Sequence, residues 1–303
     1  TGWLWDFGDG VQSNLQDPSN QYTAPGTYNV TLSATTGMGC ESQATSPVTV
    51  EPLPVAAFTA PAVCAGGSSV FTDNSTVANG AISGWSWSFG DGTVSTDQNP
   101  SHSFNAPGIY NTTLVVTSAN GCQDSVSQQV IVYDTPAAQF SAANVCDGNQ
   151  VNFFNASTIN DGNITAYQWF FGDGSNSTVT DPVHQYATAG NYNVSLVVTS
   201  DLGCTDTITQ STTIYSNPVV TASAGSVCEG IATSFTSNIT VSNANISSVY
   251  WSFGDGTGSN DVNPDHLYSA NGTYQVSLVA LSDQGCSDST GMTVTVNPVR
   301  SEE

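Results

Sequence analysis

Trp87-Ser88-Phe89-Gly90-Asp91-Gly92 decides the fold of this 303-residue chain. Residues two apart on a strand share a face, so Trp85, Trp87 and Phe89 line one side of it. Gly90-Asp91-Gly92 then ends the strand in a tight turn, because glycine adopts positive φ angles that a Cβ penalises. The motif recurs with its tryptophan at Trp5, Trp87, Trp169 and Trp251, at one constant interval (251 − 169 = 82). The same interval carries Tyr28, Tyr110, Tyr192 and Tyr274, and also Leu32, Leu114, Leu196 and Leu278. It carries Cys40, Cys122, Cys204 and Cys286 as well. A unit longer than the roughly 20–50 residues of a solenoid repeat is a whole small domain copied in tandem. A residue present in every copy therefore belongs first to the fold.

Residues 52–134 give one complete copy. Pro52 to Pro54 form a linker, and 56–60 and 69–73 read as short strands before the aromatic strand at 85–89. After the Asn99-Pro100 turn, 102–104 form a short strand and Ala106-Pro107-Gly108 a corner. Tyr110, Thr112, Leu114 and Val116 alternate through a long strand, Asn120-Gly121 predicts a type I′ hairpin, and 122–132 form the last strand. About seven strands in about 80 residues predict an all-β chain of tandem immunoglobulin-like β-sandwiches set end to end. Trp5, Trp87, Trp169 and Trp251 are the expected core centres. Tyr28, Tyr110, Tyr192 and Tyr274 are expected beside them as tyrosine corners. The expected domains are 52–134, 135–216 and 217–299, with a tail at 300–303. Residues 1–51 form a truncated copy lacking its first two strands. Either the chain is a fragment of a longer array or another copy donates those strands. The only donor segment in view, 297–303, is short and acidic.

Composition narrows the partners. Against 24 Asp+Glu stands one basic residue, Arg300, for a net charge of −23, although charged residues are only 8%. Such a field argues against nucleic acid and anionic lipid. No apolar run of about 18 residues exists to span a membrane. Thr1 opens partway through a repeat, so no signal peptide is seen. Seven cysteines at repeating positions indicate an oxidising location, extracellular or at the cell surface. No Cys-x-x-Cys or paired His accompanies them, so zinc is not indicated.

Trp87–Gly92, Asn99–Phe104 and Gly108–Leu114, with their counterparts, together resemble the PKD (polycystic kidney disease) domain family. The Gly-Cys-x-Asp-Ser/Thr variant at Gly121–Ser125, Gly203–Thr207 and Gly285–Ser289 looks like arrays on very large, adhesin-like surface proteins of Bacteroidetes. The resemblance implies an extracellular β-sandwich spacer or binding module and implies no catalysis.

Asp9, Asp91, Asp173 and Asp255 are the motif carboxylates. Calcium needs about six to eight oxygens, and the nearby acids Asp97 and Asp261 are matched by Leu15 and Val179. The turn role is therefore favoured over a calcium site. Glu51, Asp134 and Ser216 at the junctions are too sparse for calcium stiffening. His102, His184 and His266 share one position with Asn20, which suits a hydrogen-bonding strut. No nucleophile or carboxylate recurs beside them at a catalytic spacing, and no Lys is present to stabilise an oxyanion. The chain is not expected to be an enzyme.

The cysteines leave two pairings open. Cys64, Cys146 and Cys228 lie between the first two strands, and Cys122, Cys204 and Cys286 follow the hairpin at the opposite end. A strand of about six residues separates those ends by roughly 20 Å, whereas bridged Cα atoms lie within about 7 Å. Each complete copy carries one cysteine of each kind, which favours intradomain closure such as Cys64–Cys122. Geometry favours an interdomain staple, Cys64–Cys204 and Cys146–Cys286, leaving Cys40, Cys122 and Cys228 to repeats elsewhere. Asn29, Asn111 and Asn193 stand in Asn-x-Ser/Thr, while Ser125, Thr207 and Ser289 follow aspartates as in bacterial O-glycan sites. Both sets are also ordinary outward strand residues.

Two functions fit. One is a structural or adhesive segment of a surface stalk or filament, whose partners are other copies of itself or neighbouring repeats. The other is an accessory region of a secreted hydrolase that touches surface glycans or proteins. The second predicts exposed aromatics beyond the core, for which only Trp3 and Trp85 are candidates.

Overall fold

Alternation along Tyr110–Val116 gives one apolar face, and the structure makes this stretch the centre of a sheet. The computed structural model describes residues 1–299, none of which is helical. The expected tail, 300–303, lies outside the described residues. The chain divides into two compact units, Thr1–Thr135 and Pro136 onward.

In the second repeat the main sheet runs Val94–Ser95, Ile82–Ser88, Gly108–Ser118, Gln123–Tyr133, Val63–Cys64. The first four are antiparallel neighbours, and Val63–Cys64 joins parallel, pairing Val132↔Val63 and Tyr133↔Cys64. Cys64, expected only to lie between the first two strands, is therefore itself in a strand: its backbone extends the ladder at the far end of the last strand. Ser68–Val70 pairs with Ser101–Ser103, and Phe58–Thr59 with Thr72–Asp73, to cover the other side. The third and fourth repeats build the same five-stranded sheet. Their covering layers are Phe140–Ala142, Gln150–Asn155 and Val183–Gln185, then Val219–Ala224, Thr233–Thr240 and Asp265–His266.

The register sets Trp87 opposite Leu114 and Trp85 opposite Val116, so the apolar residues converge on one face. Trp87, Trp169 and Trp251 are completely buried. Phe58 and Phe71 meet the Trp87 ring edge-on at 5.1 and 5.6 Å, an arrangement that aromatic quadrupoles favour. Each buried indole N–H still has an acceptor: the carbonyl of Asp97 at 2.8 Å, of Val179 at 2.9 Å and of Val262 at 3.3 Å. Without one, a buried donor costs about 1–3 kcal/mol.

Three expectations need correction. Trp5 is not an enclosed core centre. Residues 1–51 form only the sheet Gln12–Ser13, Gly2–Asp6, Gly26–Thr35, Glu41–Val50, so Trp5, Val30 and Leu32 stay half-exposed. The four tyrosines do form the expected corners, but they are half-buried at the core margin rather than enclosed in the core, because each leans back to close its corner. Tyr28, Tyr110, Tyr192 and Tyr274 donate to the carbonyls of Ala24, Ala106, Thr188 and Ala270 at 2.8–2.9 Å. Finally, the hairpin is not type I′, which requires positive φ at Asn120. Among the described residues no non-glycine residue has positive φ. Gly121 alone takes it (φ 83°), with its N–H on the Ser118 carbonyl and the Ser118 N–H on Cys122, a three-residue loop closed by a glycine.

Gly90 shows why the motif turn is fixed. Its φ is +87°, and a Cβ there would lie 2.7 Å from the Asn111 carbonyl oxygen. Gly92 has φ +93° with open space around it. In denaturant titrations Gly90→Ala is expected to lose clearly more than about 1 kcal/mol, from strain and clash together. Gly92→Ala, with strain alone, is expected to lose about 1 kcal/mol.

Candidate functional site

The motif aspartates sit where the aromatic strand turns. Asp91 Oδ1 accepts from the Thr93 backbone N–H at 3.0 Å and hydroxyl at 2.6 Å. Asp91 Oδ2 accepts from His102 Nε2 at 2.7 Å. The His102 ring stacks on Phe89 at 4.1 Å and meets Phe104 edge-on at 4.6 Å. Asp173, Ser175 and His184 repeat this set, as do Asp255, Thr257 and His266, with both His–Asp distances again 2.7 Å. In the first repeat Asn20 Nδ2 donates to Asp9 Oδ2 at 2.8 Å instead. Asparagine can stand in for histidine because one side-chain N–H is what the position supplies.

Hydroxyl, imidazole and carboxylate in contact suggest a nucleophile triad, but the wiring differs. A triad uses one ring nitrogen for the hydroxyl and the other for the carboxylate. Here His102 Nε2 faces both Asp91 and the Thr93 hydroxyl, the latter at 3.3 Å. The set is a polar clamp joining the turn to the Ser101–Ser103 strand. Partial burial raises the Asp91 pKa, yet the Thr93 hydroxyl and amide and the His102 imidazole outweigh it and hold the carboxyl at about 2. Asp173 is held at about 2 by the equivalent partners, and Asp255 is also lowered. Burial pushes the Tyr268 phenol up to about 12, and its hydroxyl donates to the Phe253 carbonyl. Among the described residues no three His, Cys, Asp or Glu side chains gather into a metal-binding cluster.

Sequence reasoning missed a second carboxylate role. Asp124 Oδ2 accepts from the Ala56 N–H at 2.9 Å, and Asp206 Oδ2 from the Ala138 N–H at 2.7 Å. These aspartates pin the opening strand onto the last one, about 70 residues away in sequence. The recurring Gly-Cys-x-Asp was the available signal. The adjoining Ser125, Thr207 and Ser289 are exposed, as are Asn29, Asn111 and Asn193. Trp85 is half-buried and its indole N–H is held by Asp73 Oδ2 at 2.7 Å. Trp3 is half-buried too.

Cys146 and Cys286 form a disulfide with Cα atoms 5.6 Å apart. Val145–Cys146 runs parallel to the end of Thr205–Tyr215, pairing Cys146↔Tyr215. That places Cys146 at the exit end of the third repeat. Cys286 stands in the hairpin between Gly272–Ser282 and Ser287–Asn297, at the entry end of the fourth. The joint is reinforced by Asn243, whose Nδ2 donates to the Ile214 carbonyl and whose Oδ1 accepts from the Ser216 N–H. Asn217 Nδ2 donates to the Asp147 carbonyl. Of the two pairings left open, the intradomain one is overturned: Cys146 and Cys286 belong to different repeats, and Cys122 is free, as are Cys40 and Cys228. Strand length explains this, since the two cysteines of one repeat sit at opposite ends of its sandwich.

These features define a class of protein, a tandem array of immunoglobulin-like β-sandwiches whose repeated polar residues brace turns and joints. The chain belongs to the PKD domain family, whose family model matches residues 1–52, 51–132, 133–216 and 215–297. It is similar to the pre-pro-metalloprotease PrtV of Vibrio cholerae, 35% identical over 146 residues, covering 47% of this chain and 16% of that protein. A microbial collagenase of Vibrio alginolyticus is 50% identical over 58 residues, covering 19% of this chain and 7% of that protein. The PKD1 domain of Vibrio anguillarum Epp is 41% identical, over 26% of this chain and 93% of that domain, with a TM-score of 0.25. The chain thus spans only a small part of the length of the curated relatives it matches.

His102→Asn is expected to unfold between the wild type and His102→Ala, and the alanine variant to lose about 1–3 kcal/mol. For pH, the Asp91 pKa in the fold lies below the ordinary aspartate value. Its contribution is therefore full above about pH 4 and fades as pH falls toward 2. Thermal melts from pH 5 to 2 are expected to steepen in this window and to flatten in Asp91→Asn.

Proposed function

We propose that this chain is a non-catalytic, extracellular accessory region of a secreted hydrolase, a stapled set of PKD domains that holds a neighbouring domain against a protein or polysaccharide surface. The observation that carries the reading is the Cys146–Cys286 bond across a domain joint. Such a bond persists in an oxidising compartment and converts a short linker into a fixed spacing. Support for the hydrolase context comes from the metalloprotease and collagenase relatives, of which the matched part is a minor fraction. The acid-rich, base-poor surface adds solubility and disfavours anionic partners.

A second reading, a stalk or filament, is favoured by the equal repeat interval together with the same staple. Co-sedimentation of the full chain with insoluble collagen and with insoluble polysaccharides separates the two. Retention by one of them is expected for the accessory role. Absence of retention, with end-to-end rods in electron micrographs, contradicts it in favour of the stalk.

The staple itself has a mechanical consequence. Cys146→Ser is expected to leave the melting of the third repeat largely intact while the joint at 215–218 is cut several-fold faster in limited proteolysis. Ser216→Ala, which removes only hydroxyl hydrogen bonds, is expected to have a smaller effect.

A further inference from the structure

The constant interval that marks fold residues also reveals residues the fold does not require. Trp85 is replaced by Tyr167 one interval later and by Val249 after that (167 − 85 = 82, 249 − 167 = 82). Val249 is buried, so an aliphatic side chain is all that the core takes at this position. Trp85 and Tyr167 are only half-buried, and each lines a groove with its surplus ring surface. The groove beside Trp85 has a volume of about 470 Å³ and is bordered by Asp73, Ser75, Ile82 and Gln98. The groove beside Tyr167 has a volume of about 520 Å³ and is bordered by the exposed Thr178 and Thr180.

The wiring around Trp85 is equally particular to its repeat. Asp73 Oδ2 accepts from the Trp85 indole N–H at 2.7 Å and from Gln98 Nε2 at 3.3 Å. Asp73 Oδ1 accepts from the Ser75 N–H at 3.0 Å. Trp87, Trp169 and Trp251 satisfy the same indole donor with a backbone carbonyl. A carboxylate is therefore more than the indole needs, and a partly buried charge is costly to keep. Nor do the other repeats use one here: the counterparts of Asp73 are Asn155 and Ser237, and those of Gln98 are Thr180 and Val262. What the carboxylate adds is a ring fixed by its edge with polar groups at its margin. Three neutral donors fill three of its roughly four lone-pair positions, which leaves one for a ligand hydroxyl beside the exposed Gln98 amide.

We infer that these two grooves are glycan subsites, each taking one uncharged pyranose of a polysaccharide on its aromatic ring. A pyranose with equatorial hydroxyls presents axial C–H groups on its faces, and these pack against an aromatic face. Its hydroxyls point outward in the ring plane, toward Asp73 and Gln98 beside Trp85, and toward Thr178 and Thr180 beside Tyr167. An apolar platform with a few placed polar groups is the usual way to orient a small ligand. Asp73 acts as a positioning residue: it sets the indole before the ligand arrives, which lowers the entropic cost of binding. The Asp73 charge and the net charge of −23 disfavour uronic acids and sulfated sugars. A sugar is favoured over a basic side chain because every residue lining the Tyr167 groove is uncharged. The inference deepens the accessory reading, on which the choice of a polysaccharide rests.

The test titrates the full oxidised chain with cellohexaose and with chitohexaose, followed by calorimetry and tryptophan emission. Saturable binding of at least one hexaose is expected, and none of polygalacturonate. Trp85→Val and Tyr167→Val install the residue that the fourth repeat carries, Val249, and thermal melts check that both variants stay folded. Each is expected to weaken binding several-fold, and the double variant about tenfold or more. Phe154→Ser removes an exposed aromatic outside both grooves and is expected to change nothing. Asp73→Asn, which keeps an acceptor for the indole, is expected to bind more tightly than Asp73→Ala. Equal binding by the wild type and the double variant, equal loss in Phe154→Ser, or no binding of either hexaose overturns the inference. A lysine-rich peptide that binds in preference to both hexaoses, and is lost in Asp73→Asn, overturns it in favour of a basic protein. Retention on insoluble collagen without hexaose binding overturns the glycan subsites and leaves the accessory role standing. Hexaose binding through Trp85 without retention on any insoluble surface does the reverse.

Discussion

Enclosure of one tryptophan between two layers is the interaction on which each domain depends. Trp87, Trp169 and Trp251 are fully buried, each with its N–H satisfied by a carbonyl. Losing such a side chain costs about 3–5 kcal/mol, a large fraction of the stability of a domain of this size. Around it the phenylalanines of the covering strands close the core, and the aspartate turn fixes where the tryptophan strand ends. The first repeat shows the converse. With the covering layer absent from residues 1–51, Trp5 remains half-exposed and its indole N–H has no acceptor.

The repeated polar residues follow from the same constraint. Short strands leave many backbone groups near the ends of each sandwich, and these must find partners. Asp91, Thr93 and His102 clamp the turn, Asp124 holds the opening strand, and Tyr110 closes its corner. With a single basic residue in the chain, ion pairing has little part in this. Hydroxyls, amides and backbone N–H groups take that place, and they hold the carboxylates ionised well below neutral pH.

Much of the architecture was legible in the sequence because the repeat offers its own alignment. The aromatic strand, the long alternating strand and the tyrosine corners came from period-two patterning and turn residues, and the PKD resemblance followed from their order. What escaped was short or nonlocal. Val63–Cys64 is a two-residue parallel strand, too brief for any periodicity. The type I′ turn failed because Asn120 keeps negative φ and Gly121 alone bends the chain. Asp124 looked like part of a modification motif because its partner, the Ala56 N–H, is remote in sequence. The candidate site was legible as residues and not as wiring: the shared position of His102 and Asn20 showed a strut, while only the geometry showed that one ring nitrogen serves both neighbours.

The cysteines were the point at which sequence parsimony and strand geometry disagreed, and geometry prevailed. One cysteine stands at the exit of a sandwich and the other at its entry, so a bond is short only between successive domains. Equal domains linked in this way give a spacing set by covalent chemistry. Disulfide mapping of the oxidised chain by non-reducing peptide mass spectrometry tests this most directly. A peptide pair joining Cys146 to Cys286 is the predicted result, and a pair joining Cys146 to Cys204 would contradict it.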